Sequence, residues 1–177
     1  MELQDFDIHI DAEGQWFHEG GLIKRIGLVQ LFATILSCDE DGQHWLTTPV
    51  EKGKISVEDA PFIITELQLD TSSTTPEQAI IMRDNLGRDW PLGPDHRLIM
   101  QGSADQPVPY LSLEKGLRAR LSRPVYYELA GLAEPAAEAP DRYGVTSQGV
   151  FFALDSLRPD DQLSDGQLPD DQLSDDQ

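Results

Sequence analysis

The chain has 177 residues, 32 of them acidic and 13 basic, for a formal net charge of −19. Such a charge repels phosphate backbones and anionic headgroups, which argues against a nucleic-acid polymer or a membrane surface as partner. The charge is unevenly spread: residues 1–70 hold −10, residues 71–158 hold −2, and residues 159–177 hold −7 with no base.

Only four of the bases are Lys, so a solubility or salt adaptation explains the acidity as well as a binding role does. The N-terminal Met-Glu-Leu-Gln-Asp-Phe-Asp lacks the features of a signal peptide, and the most apolar run, Ile26 to Leu36, is too short to span a bilayer. One cysteine permits no intrachain disulfide and suits a reducing compartment, so a cytoplasmic protein is expected.

Phe6, Ile8 and Ile10 alternate with Asp5, Asp7, His9 and Asp11, the period of a strand. Asp11-Ala12-Glu13-Gly14 then predicts a hairpin turn into a short strand through Trp16 and Phe17. Ile26, Val29, Phe32, Ala33 and Leu36 recur at helical spacing, and their apolar neighbours predict a buried central helix ended by Asp39-Glu40-Asp41-Gly42. Strands are expected over 44–48, 54–58 and 62–70. The polar stretch 71–76 reads as a linker between an N-terminal α+β domain (1–70) and a C-terminal one (77–158).

In the second half, strands at 78–83 and 88–92 flank a hairpin at Asp84-Asn85-Leu86-Gly87, and 97–101 gives a third. Ser112 suits the N-cap of a helix bearing Leu113, Leu117 and Leu121, which Pro124 either kinks or follows by opening a second helix. A last hairpin is expected over 143–154. Residues 159–177 repeat Pro-Asp-Asp-Gln-Leu with a period of ten and predict a disordered acidic tail.

Recognised chemical motifs are scarce. No G-x-G-x-x-G or Walker A sequence occurs, and Ser112-Leu113-Glu114-Lys115 fits S-x-x-K without its companion motifs. Asp7, His9 and Asp11 share a strand face at about 7 Å spacing, but no second His or Cys is fixed nearby to complete a metal site. No cofactor, metal or catalytic residue is therefore assigned. Cys38 reads as packing.

The stronger signal is Lys115, Arg118, Arg120 and Arg123: four bases and no acid within nine residues of an acidic chain. Their counter-charges come either from Glu51, Glu58 and Asp59 across the two halves or from an external anion. Tyr110, Tyr126 and Tyr127 flank the cluster and could stack on a ring. Lys52 and Lys54, in the charged segment 48–62, are further candidates for meeting an acidic group. The partner is then a small nucleotide-like anion or, if the cluster pairs internally, a protein. Nothing in the sequence sets an oligomeric state.

The run Thr48-Pro49-Val50-Glu51-Lys52-Gly53-Lys54-Ile55-Ser56-Val57-Glu58-Asp59-Ala60-Pro61-Phe62 resembles bacterial domain-of-unknown-function family 1285. So do Gly116-Leu117, the segment Ala119-Arg120-Leu121-Ser122-Arg123-Pro124-Val125-Tyr126-Tyr127-Glu128-Leu129, and Ser147-Gln148-Gly149-Val150-Phe151-Phe152. The resemblance runs from about residue 5 to 157, leaving out the tail. It implies two tandem α+β domains of related build, each a mainly antiparallel sheet with a central helix, the C-terminal one loosely pleckstrin-homology-like. It also implies a signalling role and a nucleotide-like ligand between the domains, with no established catalytic residues to transfer; the leading reading is a non-enzymatic regulatory module, with an enzyme of unknown reaction a distant third.

Overall fold

A computed structural model describes residues 2–72, 78–103 and 105–154; residues 73–77 of the expected linker region and the whole acidic repeat tail lie outside the described residues. The first sheet takes β1 (Glu2–Ile10), β2 (Trp16–His18) and β3 (Gly21–Leu22). After helix α1 (Ile26–Ile35) it takes β4 (Leu36–Cys38), β5 (His44–Thr47) and β6 (Glu51–Val57). The second takes β7 (Phe62–Asp70), β8 (Ala79–Asp84), β9 (Asp89–Pro91), β10 (Leu98–Ser103), β11 (Gln106–Ser112) and β12 (Arg118–Leu121). Helix α2 (Arg123–Gly131) follows. A small antiparallel sheet is built from β13 (Glu134–Pro135), β14 (Tyr143–Ser147) and β15 (Val150–Ala153).

The two large sheets repeat one topology. Their spatial orders are β3-β2-β1-β6-β5-β4 and β9-β8-β7-β12-β11-β10. In each, the first and last strands meet at the centre as a parallel pair, β1 with β6 and β7 with β12. The flanking pairs are antiparallel. This is the expected small tandem α+β architecture. Ile10, Leu36, Leu46, Phe62, Met82 and Leu111 are among the buried residues of one apolar cluster that draws on both sheets.

Three expectations need correction. Residues 62–70 were expected in the first unit, but β7 hydrogen-bonds to β12 and β8 of the second sheet. The Ser/Thr stretch after it therefore joins two paired strands, a role that polar, turn-prone composition suits equally well. Helix α1 is not a buried centre. Only Val29 and Ala33 are buried, while Ile26 and Leu31 are 56% and 59% exposed, because a single face lies against the sheet.

The third correction concerns 112–121, which forms no α-helix and has only a single 3-10 turn at Glu114–Gly116. Lys115 (φ 55°) and Gly116 (φ 71°) are left-handed, and the chain turns there into β12. Arg118-Ala119-Arg120-Leu121 then alternates half-buried with buried, the period of a strand. Ser112 lies in β11 instead of capping a helix, and the Lys115 ammonium donates to the Thr34 carbonyl oxygen at 2.8 Å. Pro124 sits in the first turn of α2, where its missing N–H costs nothing.

Three hairpins share one lock. In Asp11–Gln15, Asp39–Gln43 and Asp84–Arg88, the aspartate N–H bonds the carbonyl four residues on, and the glycine N–H bonds the aspartate carbonyl. Each glycine has φ near +80°, so the Asp-x-x-Gly spacing is a backbone requirement. Each aspartate Oδ1 accepts the N–H groups two and four residues ahead. Trp45 and Trp90, six residues after their aspartates, donate indole N–H groups to the second oxygen.

The Asp84 copy is the buried one, at 2% exposure, and its Oδ2 also accepts Arg88 Nε at 2.7 Å. The Arg88 guanidinium lies 4.2 Å from the Phe62 ring centroid. Asp84→Ala should therefore cost about 3–5 kcal/mol in urea unfolding, since it strands a half-buried guanidinium and an indole donor. Asp39→Ala, at an exposed loop, should lower the urea midpoint far less than Asp84→Ala in the same assay.

Candidate functional site

The chain passes from the first sheet to the second in the four residues between β6 and β7, and Asp59 stands in that connection. Parallel pairing of β12 with β7 carries Ala119, Arg120 and Leu121 past Phe62, Ile63 and Ile64. Because β12 is a strand, Arg118 and Arg120 project from the same face. Tyr110 is the register partner of Arg120 on β11, which adds a phenol to that face.

The three side chains converge on one carboxylate. Tyr110 Oη donates to Asp59 Oδ1 at 2.6 Å, and Arg120 Nη1 lies 3.2 Å from Asp59 Oδ2. Arg118 Nη2 reaches Asp59 Oδ1 at 3.5 Å, its guanidinium stacked 4.1 Å from the Tyr110 ring centroid. Arg120 Nη2 donates to the Ala12 carbonyl of the first hairpin at 3.0 Å, while Arg118 Nη1 donates to Gln101 at 2.8 Å. Burial, and next the bond to Asp59, push the Tyr110 phenol above its ordinary value.

Other candidates have different partners. Glu58 was expected to pair with the basic cluster; its Oε1 lies 2.9 Å from His9 Nε2. Glu51 accepts the Gln4 side-chain amide at 3.1 Å. Glu51 opens β6, and Glu58, the first residue of the connection, is still held to the first sheet through its N–H on the Ile10 carbonyl. Lys52 lies over the Trp45 ring at 4.5 Å, and Lys54 lies 3.7 Å from Asp5. His9 of the Asp7–His9–Asp11 face is held by Ser56 and Glu58, Asp11 locks its hairpin, and Asp7 (φ 48°) breaks the pleat. Among the described residues no cluster of His, Cys, Asp or Glu could hold a metal.

The remaining candidates gather in a groove of about 620 Å³ lined by Arg120, Ser122, Arg123, Tyr126 and Tyr127, with Asp105 to Pro109 on the other side. Its origin is in β11. On β11, strand β12 pairs with Tyr110 to Ser112, so among the described residues Gln106 to Pro109 pair with β10 and leave their second edge open. Pro107 and Pro109 have no N–H to waste on such an edge. Arg123 forms no ion pair among the described residues, and the first turn of α2 contains no acid. The cation cluster was legible in the sequence. Its division into a paired half and an open half was not.

A double-mutant cycle on Asp59→Ala and Arg120→Ala should show coupling of about 1–2 kcal/mol in chemical unfolding. Glu51→Ala with Arg120→Ala, whose side chains share no partner, should be additive. In a tyrosinate absorbance titration, one phenol should ionise later than ordinary tyrosine, and Tyr110→Phe should remove that late component. The folded state keeps this proton longer than the unfolded one, so stability falls as pH rises beyond about 10.

Residues 1–60 match the N-terminal domain, and residues 61–154 the C-terminal domain, of the DUF1285 family, whose members are described as proteins of unknown function. A DUF1285 family protein from Silicibacter pomeroyi DSS-3 is 29% identical, with a TM-score of 0.75 over 90% of this chain and 85% of that one. Another, from Shewanella baltica OS155, is 30% identical, with a TM-score of 0.56 over 71% of this chain and 91% of that one. No curated protein matches the chain. The two domain matches meet between residues 60 and 61, in the same connection where the chain changes sheet, and together they cover the described fold: this chain belongs to the DUF1285 family.

Proposed function

We propose that this protein is a regulatory module whose groove between β11 and α2 binds a small anion bearing a flat ring, of the nucleotide class. The observation that carries this reading is Arg123. It is a guanidinium with no ion pair among the described residues, in a groove walled by Tyr126 and Tyr127. The start of α2 adds favourable N–H dipoles for an anion. Asp105 on the groove's lining would accept a donor, which favours a base-bearing ligand over inorganic phosphate.

Arg120 gives this reading its regulatory side, since it lines the groove while bonding Asp59 and Ala12. A ligand that draws on Arg120 competes with the contact between the two units. The pairing of Arg118 and Arg120 with Asp59 favours a second reading, a protein-interaction adaptor in which the cluster serves the fold alone.

A melting panel of nucleotides and nucleotide second messengers separates the two. A true ligand at a hundredfold excess over its Kd should stabilise the protein by about 2.7 kcal/mol. Arg123→Ala should abolish that shift and leave the ligand-free transition unchanged. If no anion moves the transition, the adaptor reading stands and the ligand reading falls.

A further inference from the structure

We propose that Ser56, on the outer face of the first sheet and apart from the groove, is an activated nucleophile that takes acyl groups from small esters. His9 and Ser56 are register partners across the parallel pair β1 and β6. His9 Nδ1 lies 2.9 Å from Ser56 Oγ, and His9 Nε2 lies 2.9 Å from Glu58 Oε1. The second Glu58 oxygen accepts the Ala12 N–H at 2.9 Å, which fixes the carboxylate that orients the ring.

The hydrogen bonds select the tautomer. An ionised Glu58 only accepts, so the imidazole proton sits on Nε2 and the Nδ1 lone pair faces the serine hydroxyl. The competing acceptor, the Ile8 carbonyl, is 3.5 Å from Ser56 Oγ and is too long to rival the imidazole. Nucleophile, base and orienting carboxylate therefore stand in the order of a hydrolytic triad, an arrangement defined by geometry and not by sequence order.

There is also room for a substrate. Ser56 lines a pocket of about 450 Å³ together with Asp5, Asp7, His44 and Lys54. The pocket lies at the irregularity where the β1–β6 register shifts between Asp5 and His9, with Asp7 in the left-handed region. Lys54 is two residues before Ser56 on the same strand, so the pleat directs both side chains outward. Its ammonium lies 3.7 Å from Asp5 and would turn from that carboxylate to meet an ester oxyanion.

In the first step Ser56 Oγ bonds to the ester carbonyl carbon while its proton passes to His9 Nδ1. The tetrahedral intermediate then breaks its bond to the alkoxy oxygen, and the alcohol leaves with the proton from His9. Water next attacks acyl-Ser56 and gives its proton to His9. Collapse of that intermediate frees the carboxylic acid and returns the proton to Ser56. No oxidant, reductant or metal enters the balance.

The test uses the full chain with p-nitrophenyl acetate and a fluorophosphonate probe. Peptide mapping should place the phosphonyl adduct on Ser56, and Ser56→Ala should hydrolyse the ester at least tenfold more slowly than the native protein. Glu58→Gln keeps the side-chain shape and is compared at a temperature below its own melting transition. It should slow labelling roughly 10²-fold, the scale of lost base catalysis. An unlabelled Ser56, or equal hydrolysis by Ser56→Ala and the native protein, overturns the proposal. A purely structural role for the three residues predicts both of those results. Neither result bears on the groove, whose ligand is read by melting.

Discussion

Asp59 occupies the short connection between the sheets and accepts a phenol and two guanidinium groups from the second sheet, while Arg120 continues to a carbonyl of the first. A half-buried carboxylate is costly without partners and favourable with three donors. Its position adds to its effect. Being four residues or fewer from both β6 and β7, it needs little chain entropy to hold, and it constrains the angle at which one sheet leaves the other. Asn85 performs a related task nearby, accepting the Ile63 N–H and donating to the Gly14 carbonyl. Further along, Lys115 on Thr34 and Gln30 on Leu86 close the contact around α1.

The fold was legible where local rules dominate. Alternation marked β1, and Asp-x-x-Gly marked the hairpins at Asp11 and Asp84; the copy at Asp39 reads from sequence as a helix end, because the three-residue β4 before it offers no alternation to find. It was not legible where two periods coincide. Leu113, Leu117 and Leu121 are four apart, as in a helix, yet Leu117, Ala119 and Leu121 are also two apart, as in a strand. The left-handed backbone at Lys115 and Gly116 decides between them. Strand β11 was hidden by Pro107 and Pro109, whose cost vanishes on an edge that no described strand pairs. The site divides the same way. Four cations in nine residues are visible to any reader, but which of Glu51, Glu58 and Asp59 meets them depends on where β6 ends. The meeting of His9 with Ser56 spans 47 residues and follows only from parallel register.

The charge of −19 also looks different once residues have places. Asp11, Asp39 and Asp84 are spent on hairpin locks, Asp59 on the junction, Glu58 on His9 and Asp89 on Arg83. These carboxylates are acceptors first and surface charges second. The Trp45 indole, and then backbone N–H donors, hold the Asp39 carboxyl below its usual range, as expected for an acceptor whose charged form is the one being bonded. The acidity of the folded region is thus partly architectural, which the total could not reveal.

The central parallel pairs carry a mechanical consequence. In the first sheet β1 and β6 are the opening and closing strands, and they lie side by side pointing the same way. Tension applied between the start of β1 and the second sheet therefore pulls these strands past each other along their length. The ladder bonds between them are loaded together in shear, whereas a hairpin pulled at its ends opens one bond at a time. A chain with this wiring resists stretching at its centre, and its outer hairpins carry little of the load.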